Sequence, residues 1–322
     1  MKLERLYRKA VDIGIRNDPR GRSEVNRLLK EEKGKHKNLK PKDLEYFDKD
    51  RLFNPYADSR VLNGAGAVDV RRIIAGIDME AAEIMLAYIL NRDFGRKIDL
   101  IIAHHPEGYA QARLADVMRV QADILASFGV AVSVADQLMD RRIGEVERRL
   151  MPINHTRAVD TAKALGLPLM CLHTPADNCV NTFLQKTFDK AKLRTLKDVL
   201  DLLLDIPEYR AAAKQQVAPR IVSGSDHSRC GKVLVDMTGG TEGSKDVYAK
   251  LAGEGLSTIV GMHMSEEHLE NAKKANLNVV IAGHISSDAL GLNLLFDELE
   301  KDDRLEFISV SGFERIRHTK KR

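Results

Sequence analysis

Short apolar runs alternate with longer amphipathic stretches from residue 71 onward. Residues 71–78 (RRIIAGID) form a run rich in β-branched side chains and predict a buried strand. The following stretch, 79–95, places Ala81, Ala82, Met85, Leu86, Ile89 and Leu90 on one helical face and stops at Gly95. Residues 98–103 (IDLIIA) predict a second strand that runs directly into His104-His105-Pro106. Strand, helix and strand with continuously apolar strands predict parallel pairing in an α/β sheet. Residues 107–166 read as helical, with one stripe through Leu114, Val117, Met118, Ile124 and Leu125 and another through Leu138, Val146 and Leu150. Residues 167–173 (LPLMCLH) predict a further buried strand, again ending in histidine. A Thr-x-x-Asp start signal opens a helix at Thr195, and Pro207 marks its end.

The last third repeats this rhythm. Strands are predicted at 232–237, 256–261, 277–282 and 305–311, with helices between them. The glycine loop 238–244 (TGGTEGS) follows the first of these strands, and Ser265 is the expected cap of the helix after the second. The third runs into Gly283-His284. No short-period repeat is visible, yet both ends share a design in which a buried strand delivers histidine at its carboxyl edge.

Residues 1–60 differ in character. Helical spacing appears in RLYRKAVDIGI and SEVNRLLKEE, but the lysine-rich segment between Leu29 and Asp43 carries the breakers Gly34 and Pro41. This predicts a basic helical arm on a linker (1–60), followed by a first α/β half (61–190) containing a helical insertion and a second α/β half (191–322). The arm holds 17 basic and 11 acidic side chains and the tail 314–322 five basic and one acidic, so the body between them is acidic overall. Basic ends of this kind are usually solvated. A nucleic-acid contact through them is a weaker reading, and the absence of Trp leaves few stacking platforms. No apolar run approaches the ~20 residues of a membrane span, and the N-terminus lacks a signal-peptide core. The three cysteines, Cys171, Cys179 and Cys230, form no CxxC pair. They read as buried structural thiols, and the expected setting is a reducing cytoplasm.

Ligands in open α/β sheets collect outside the carboxyl ends of the strands. Three strands deliver histidine there: His104 with His105, His173, and His284. Asp177 lies four residues after His173 and Asp288 four after His284, so His284 and Asp288 share a helix face. Imidazoles with carboxylates suit a divalent transition metal such as Zn, Mn, Fe, Co or Ni, and a carboxylate can bridge two cations. A lone strand-end histidine is more often a hydrogen-bonded structural residue; three such sites with two spaced carboxylates favour metal. His155, His227, His263, His268 and His318 lack that company and read as surface or capping residues. Gly239, Gly240 and Thr241 lie in a loop expected to open a helix, where free N–H groups favour a phosphate, although a tight turn without ligand fits equally. The order of a Walker A loop and the G-x-S-x-G elbow are both absent.

The segments IDLIIAHHPEGY, CLHTPADNCVN and VVIAGHISSDALGLNLL resemble the three signature segments of the Nif-three-like proteins, a family also described as a second type of GTP cyclohydrolase I. RRIIAGIDMEAAEIM and SEEHLENAKKANLNVVIAGH fit as well, so the resemblance spans roughly 70–311 with gaps. It implies mostly parallel central sheets flanked by helices and a centre of two divalent metals held by His104, His105, Asp177, His284 and Asp288. His173 would lie close by, either supporting the ligands from behind or transferring protons, and the subunits would assemble into ring-shaped homohexamers. Three departures stand out: Asp288 replaces the family's Glu, 107–166 is longer than the usual spacer, and the 60-residue arm is additional. Two functions follow as expectations: a metal-dependent hydrolase of a phosphorylated or nucleotide-type small molecule, or a metal-binding assembly protein without turnover.

Overall fold

A computed structural model describes residues 1–318; the last four residues of the basic tail lie outside the described residues. Two sheets organise the chain. The first contains β1 (Val61–Asn63), β2 (Arg72–Gly76), β3 (Leu100–Ala103), β4 (Leu169–Cys171) and β9 (Glu306–Ser309), in the order β1-β4-β3-β2-β9. The second contains β5 (Arg220–Ser223), β6 (Lys232–Asp236), β7 (Leu256–Gly261) and β8 (Asn278–Ile281), in the order β5-β8-β7-β6. All pairings are parallel except those of β1 on β4 and β5 on β8.

Leaving out β9, the two sheets have one plan, an antiparallel edge strand followed by three parallel strands. Even the register break in the edge strand recurs, between Val61 and Asn63 and again between Ile221 and Ser223. The shared histidine design in the sequence is thus the trace of a repeated supersecondary unit. β1 and β5 are the strands the apolar pattern does not reveal. They are three and four residues long and include the polar Asn63, Arg220 and Ser223.

The helices are α1 (Leu3–Arg16), α2 (Arg22–Lys37), α3 (Pro41–Leu44), α4 (Ala81–Phe94), α5 (Gly108–Ala112), α6 (Arg119–Ser127), α7 (Val132–Leu150), α8 (Arg157–Ala164), α9 (Thr174–Lys190), α10 (Leu196–Asp205), α11 (Pro207–Lys214), α12 (Tyr248–Gly253), α13 (Glu266–Lys274) and α14 (His284–Glu300). α9 and α14 pack on both sheets. Cys179, Leu292, Leu295 and Phe296 pack with Ile73, Ile102 and Met170 of the first. Val180, Leu184 and Leu290 pack with Val235, Val260 and Val280 of the second. The two helices touch at Gly291, where a Cβ would stand 2.6 Å from the Ala176 carbonyl oxygen, so only glycine permits the approach.

α9 also closes the open edge of β6. The Gln185 amide accepts from Val235 N–H (2.9 Å) and donates to the Val233 carbonyl (3.1 Å), and Asn181 accepts from Met237 N–H (3.1 Å). Side chains thereby take up hydrogen bonds that another strand would otherwise seek. On the outer faces, α4 and α8 cover the first sheet, and α6, α7, α12 and α13 cover the second. The long helical segment between the first two signatures therefore serves both sheets.

Two expectations change. α1 is no free arm: Leu3, Leu6, Ala10 and Ile13 are fully buried in the first core, beside Ile73 and Phe296. Their spacing is that of an amphipathic helix, and the charges between them face outward. In α4, Ile84 and Ala87 face the core while Met85 and Leu86 are exposed. That helix is apolar on nearly all sides, so spacing alone cannot choose its buried face. Other local signals hold. Thr195 and Asp198 form a reciprocal cap, and Gly95 ends α4 in the left-handed conformation (φ 58°). Ser265 sits at the N-cap position of α13, but its hydroxyl bonds the His268 ring instead of the backbone. All three cysteines are buried and free. Among the described residues, no helix is long and apolar enough to cross a membrane.

Candidate metal centre

The carboxyl edges of β3, β4 and β8 converge. Backbone bonds from His104 and His105 N–H to the Gly76 and Ile77 carbonyls (2.9 Å each) carry the β3 ladder two residues past the strand. His104 is fully buried and His105 is partly exposed. His173 leaves β4 at the N-cap position of α9, with Asp177 in that helix's first turn. Gly283 (φ 113°) turns β8 directly into α14, which begins with His284.

Asp288 stands at the centre. Its Oδ1 lies 3.3 Å from His104 Nε2, and its Oδ2 lies 3.5 Å from both His105 Nε2 and His284 Nε2. His104 Nε2 is also 3.3 Å from Asp177 Oδ1. The rings of His104 and His173 are 4.9 Å apart, those of His105 and His284 5.3 Å. Three overlapping groups have ligand atoms within 4.8 Å of one another: His104, His105 and His173; His105, His284 and Asp288; and His104, Asp177 and Asp288. The two adjacent histidines, whose strand geometry predicts opposite directions, thus reach different sides of one cluster.

These contacts are close but are not hydrogen bonds. Both ring nitrogens of His104, Asp177 Oδ1 and both carboxylate oxygens of Asp288 are buried without a hydrogen-bond partner among the described residues. Leaving five such atoms unsatisfied is costly, on the order of 1–3 kcal/mol for each neutral group and more for a charged one. A cation accepted by imidazole and carboxylate together satisfies them, so the donor set fits a divalent metal.

Two carboxylates brace the cluster from outside. Asp58 Oδ2 is 2.9 Å from His173 Nδ1 and accepts from Thr174 Oγ1 (2.6 Å), while Asp78 Oδ1 is 2.7 Å from His105 Nδ1. Such bonds fix which ring nitrogen faces the centre. Asp78 follows β2 at the same sheet edge and so obeys the strand-end rule. Asp58 comes from the irregular segment before β1, where no sequence signal marks it. His263, set aside in the sequence, follows β7 and lies 4.8 Å, ring to ring, from His284.

Charge is strongly coupled here. Burial disfavours a charged His104, but the neighbouring Asp288 and Asp177 overcome it and push the imidazole up to about 10. Burial likewise opposes ionisation of Asp288, and His104 and its companions hold the carboxyl far below the usual range. His173 is raised by Asp177 and Asp58 against burial, whereas burial lowers His284.

A cavity of about 70 Å³ opens beside the cluster, with Asp177, Asp288 and His284 on one side and Thr241, Glu242 and His263 on the other. The glycine loop forms that second side. It does not open a helix directly, because α12 begins only at Tyr248. Gly239 (φ 95°) and Gly240 (φ 87°) adopt conformations that favour glycine. Gln121 donates to the Gly239 and Thr241 carbonyls (2.8 and 2.6 Å).

No protein-family model matches the chain, and no curated protein matches it. Among solved structures, the chain is similar to a NIF3 superfamily protein from Sphaerobacter thermophilus. The two share 27% identity and a TM-score of 0.70, over 80% of this chain and 92% of the other. The chain is NIF3-like in sequence and fold. A fainter likeness, 16% identity and a TM-score of 0.49 over 88% of this chain and 97% of the other, joins it to reduced HcgD from Methanocaldococcus jannaschii. The NIF3-like fold accounts for the two mostly parallel sheets flanked by helices.

For this NIF3-like chain, metal uptake must compete with protons. An imidazole held at about 10 carries its proton at neutral pH, and a cation needs the same lone pair. Metal affinity is expected to rise by about tenfold per pH unit between 6 and 9. Calorimetry in buffers of different ionisation enthalpy should show about one proton released per chain at pH 7. A buffer-independent heat would contradict this.

Proposed function

We propose that this protein is a metal-dependent hydrolase of a small molecule, with two divalent ions held by His104, His105, Asp177, His284 and Asp288. The observation that supports the reading is the set of five buried, unpartnered donor atoms contributed by His104, Asp177 and Asp288. Divalent ions would supply Lewis acidity and ease the deprotonation of water near neutral pH. The chain's residues supply the remainder. Asp58 holds His173 through Nδ1, leaving the other ring nitrogen to take or give a proton. Asp78 orients His105 in the same way. The substrate class we favour is a nucleotide-type or phosphorylated small molecule, handled by a cytoplasmic homo-oligomer, with the hexameric ring that the family resemblance implies.

The test is metal content by mass spectrometry on the purified protein and on the His104→Ala/His284→Ala double variant, followed by a hydrolysis screen of phosphoesters and nucleotides. About two ions per chain, lost in the variant together with turnover, supports the reading. Equal metal in both proteins sinks the site assignment, and bound metal without turnover of any compound in the screen sinks the hydrolase.

A further inference from the structure

The cavity beside the cluster has an unexpected electrostatic character. Its lining includes the carboxylates Asp236 and Glu242 in addition to Asp177 and Asp288, and among the described residues neither Lys nor Arg lines it. A phosphate group at the loop side would meet the Asp236 and Glu242 carboxylates with no Lys or Arg beside them. We propose that this wall selects the non-reacting part of the substrate through its N–H donors, with Glu242 receiving an amidine, guanidine or amine group. The inference deepens the hydrolase reading and rests on it for the assignment of the cavity to substrate.

Glu242 is built to accept. Its Oε1 is fixed by Ser265 N–H (2.6 Å), and its own carbonyl is held by Arg142 Nε (2.9 Å). The neighbouring turns are clamped by the buried Gln121 amide through the Gly239 and Thr241 carbonyls. A Cβ on Gly239 would come within 2.6 Å of the Gln121 side chain, so glycine there is what lets the clamp close. The carboxylate is therefore positioned before any ligand arrives, which lowers the ordering cost of binding. His263 Nδ1 lies 3.8 Å from Glu242 Oε1 and His268 Nδ1 3.7 Å from its Oε2, both beyond hydrogen-bond reach, and His268 Nδ1 is already bonded to the Ser265 hydroxyl, so the carboxylate keeps accepting capacity toward the cavity. The same cavity is bounded by Asp177 and Asp288, whose buried, unpartnered oxygens belong to the candidate metal centre, so a group seated on Glu242 lies next to that centre. Met237 and Met262 complete the lining with adaptable apolar surface suited to a flat ring.

The experiment compares benzamidine with benzoate, two probes of one shape and opposite charge. Binding is measured by calorimetry on the full chain, both metal-free and zinc-loaded, in wild type, Glu242→Gln and Gln121→Ala. Glu242→Gln is expected to weaken benzamidine by at least about tenfold, equivalent to about 1.4 kcal/mol, and to leave benzoate within about twofold. Gln121→Ala should reproduce much of the loss with Glu242 intact and speed amide exchange across residues 238–244. Equal benzamidine affinity in wild type and Glu242→Gln overturns the proposal. So does absence of benzamidine binding to wild type, or an equal loss for both probes. The metal-free arm separates the two readings, since discrimination by Glu242 there, in a protein that takes up no zinc, strikes only at the metal-dependent hydrolase.

Discussion

Replacing Asp288 by alanine is expected to reduce divalent-metal affinity by more than about 100-fold, a loss above about 2.7 kcal/mol. No other carboxylate in the cluster approaches three imidazoles; Asp288 lies within 3.5 Å of His104, His105 and His284. Without it, three imidazoles lose the anion that offsets cationic charge among them, and of the two cluster carboxylates only Asp177 remains. The His104 imidazole should also fall from about 10, because its largest favourable partner is gone. Competition with a chromogenic chelator reads the first effect, and ring-proton titration by NMR reads the second. Wild-type affinity in Asp288→Ala would remove Asp288 from the site. Despite the shortening from the Glu that the family resemblance leads one to expect, α14 carries the Asp288 carboxylate to within 3.5 Å of all three rings.

The second large effect concerns the N-terminal helix. Leu6→Ala is expected to cost about 2–5 kcal/mol of unfolding free energy, the usual range for emptying a fully buried leucine site. Leu6 has no exposure and belongs to the same core as Ile73 of β2 and Phe296 of α14. Chemical denaturation followed by circular dichroism should show a lower midpoint with an unchanged slope. A loss below about 0.5 kcal/mol would mean that α1 sits loosely on the body. Removal of residues 1–60 is correspondingly expected to give an unfolded or aggregated chain. It would also take away Asp58 and so release His173, which makes that deletion unusable as a test of partner binding.

These two predictions mark the limits of what the sequence makes legible. β2, β3, β4, β6, β7 and β8 are visible because strands covered by helices are short, apolar and β-branched. β1 and β5 are invisible because an edge strand needs no such run. α1 carries a clear apolar spacing at Leu3, Leu6, Ala10 and Ile13, but a dense charge pattern around it suggests a solvated arm. The candidate centre is legible where strands end: His104, His105, His173 and His284 all follow strands, and the structure brings them together with Asp177 and Asp288. The same rule marks Asp78 and His263, which the search for histidine–carboxylate spacing passes over. Asp58 reaches His173 across the sheet edge, a tertiary relation with no local signal. Similarly, nothing local in the Gly239–Thr241 loop shows that Gln121, more than 100 residues earlier, holds its carbonyls.

The placement of β9 has a consequence for how the molecule comes into being. β9 pairs with β2 across more than 200 residues, and α14, just before it, supplies His284 and Asp288. During synthesis, the first sheet lacks its β9 edge strand and the centre lacks two of its members until residues 284–309 have left the ribosome. A prematurely terminated chain would expose the flank of β2 and hold only His104, His105, His173 and Asp177. The full set of candidate ligands therefore depends on segments far apart in the chain, and folding, governed by so distant a pairing, should be slow.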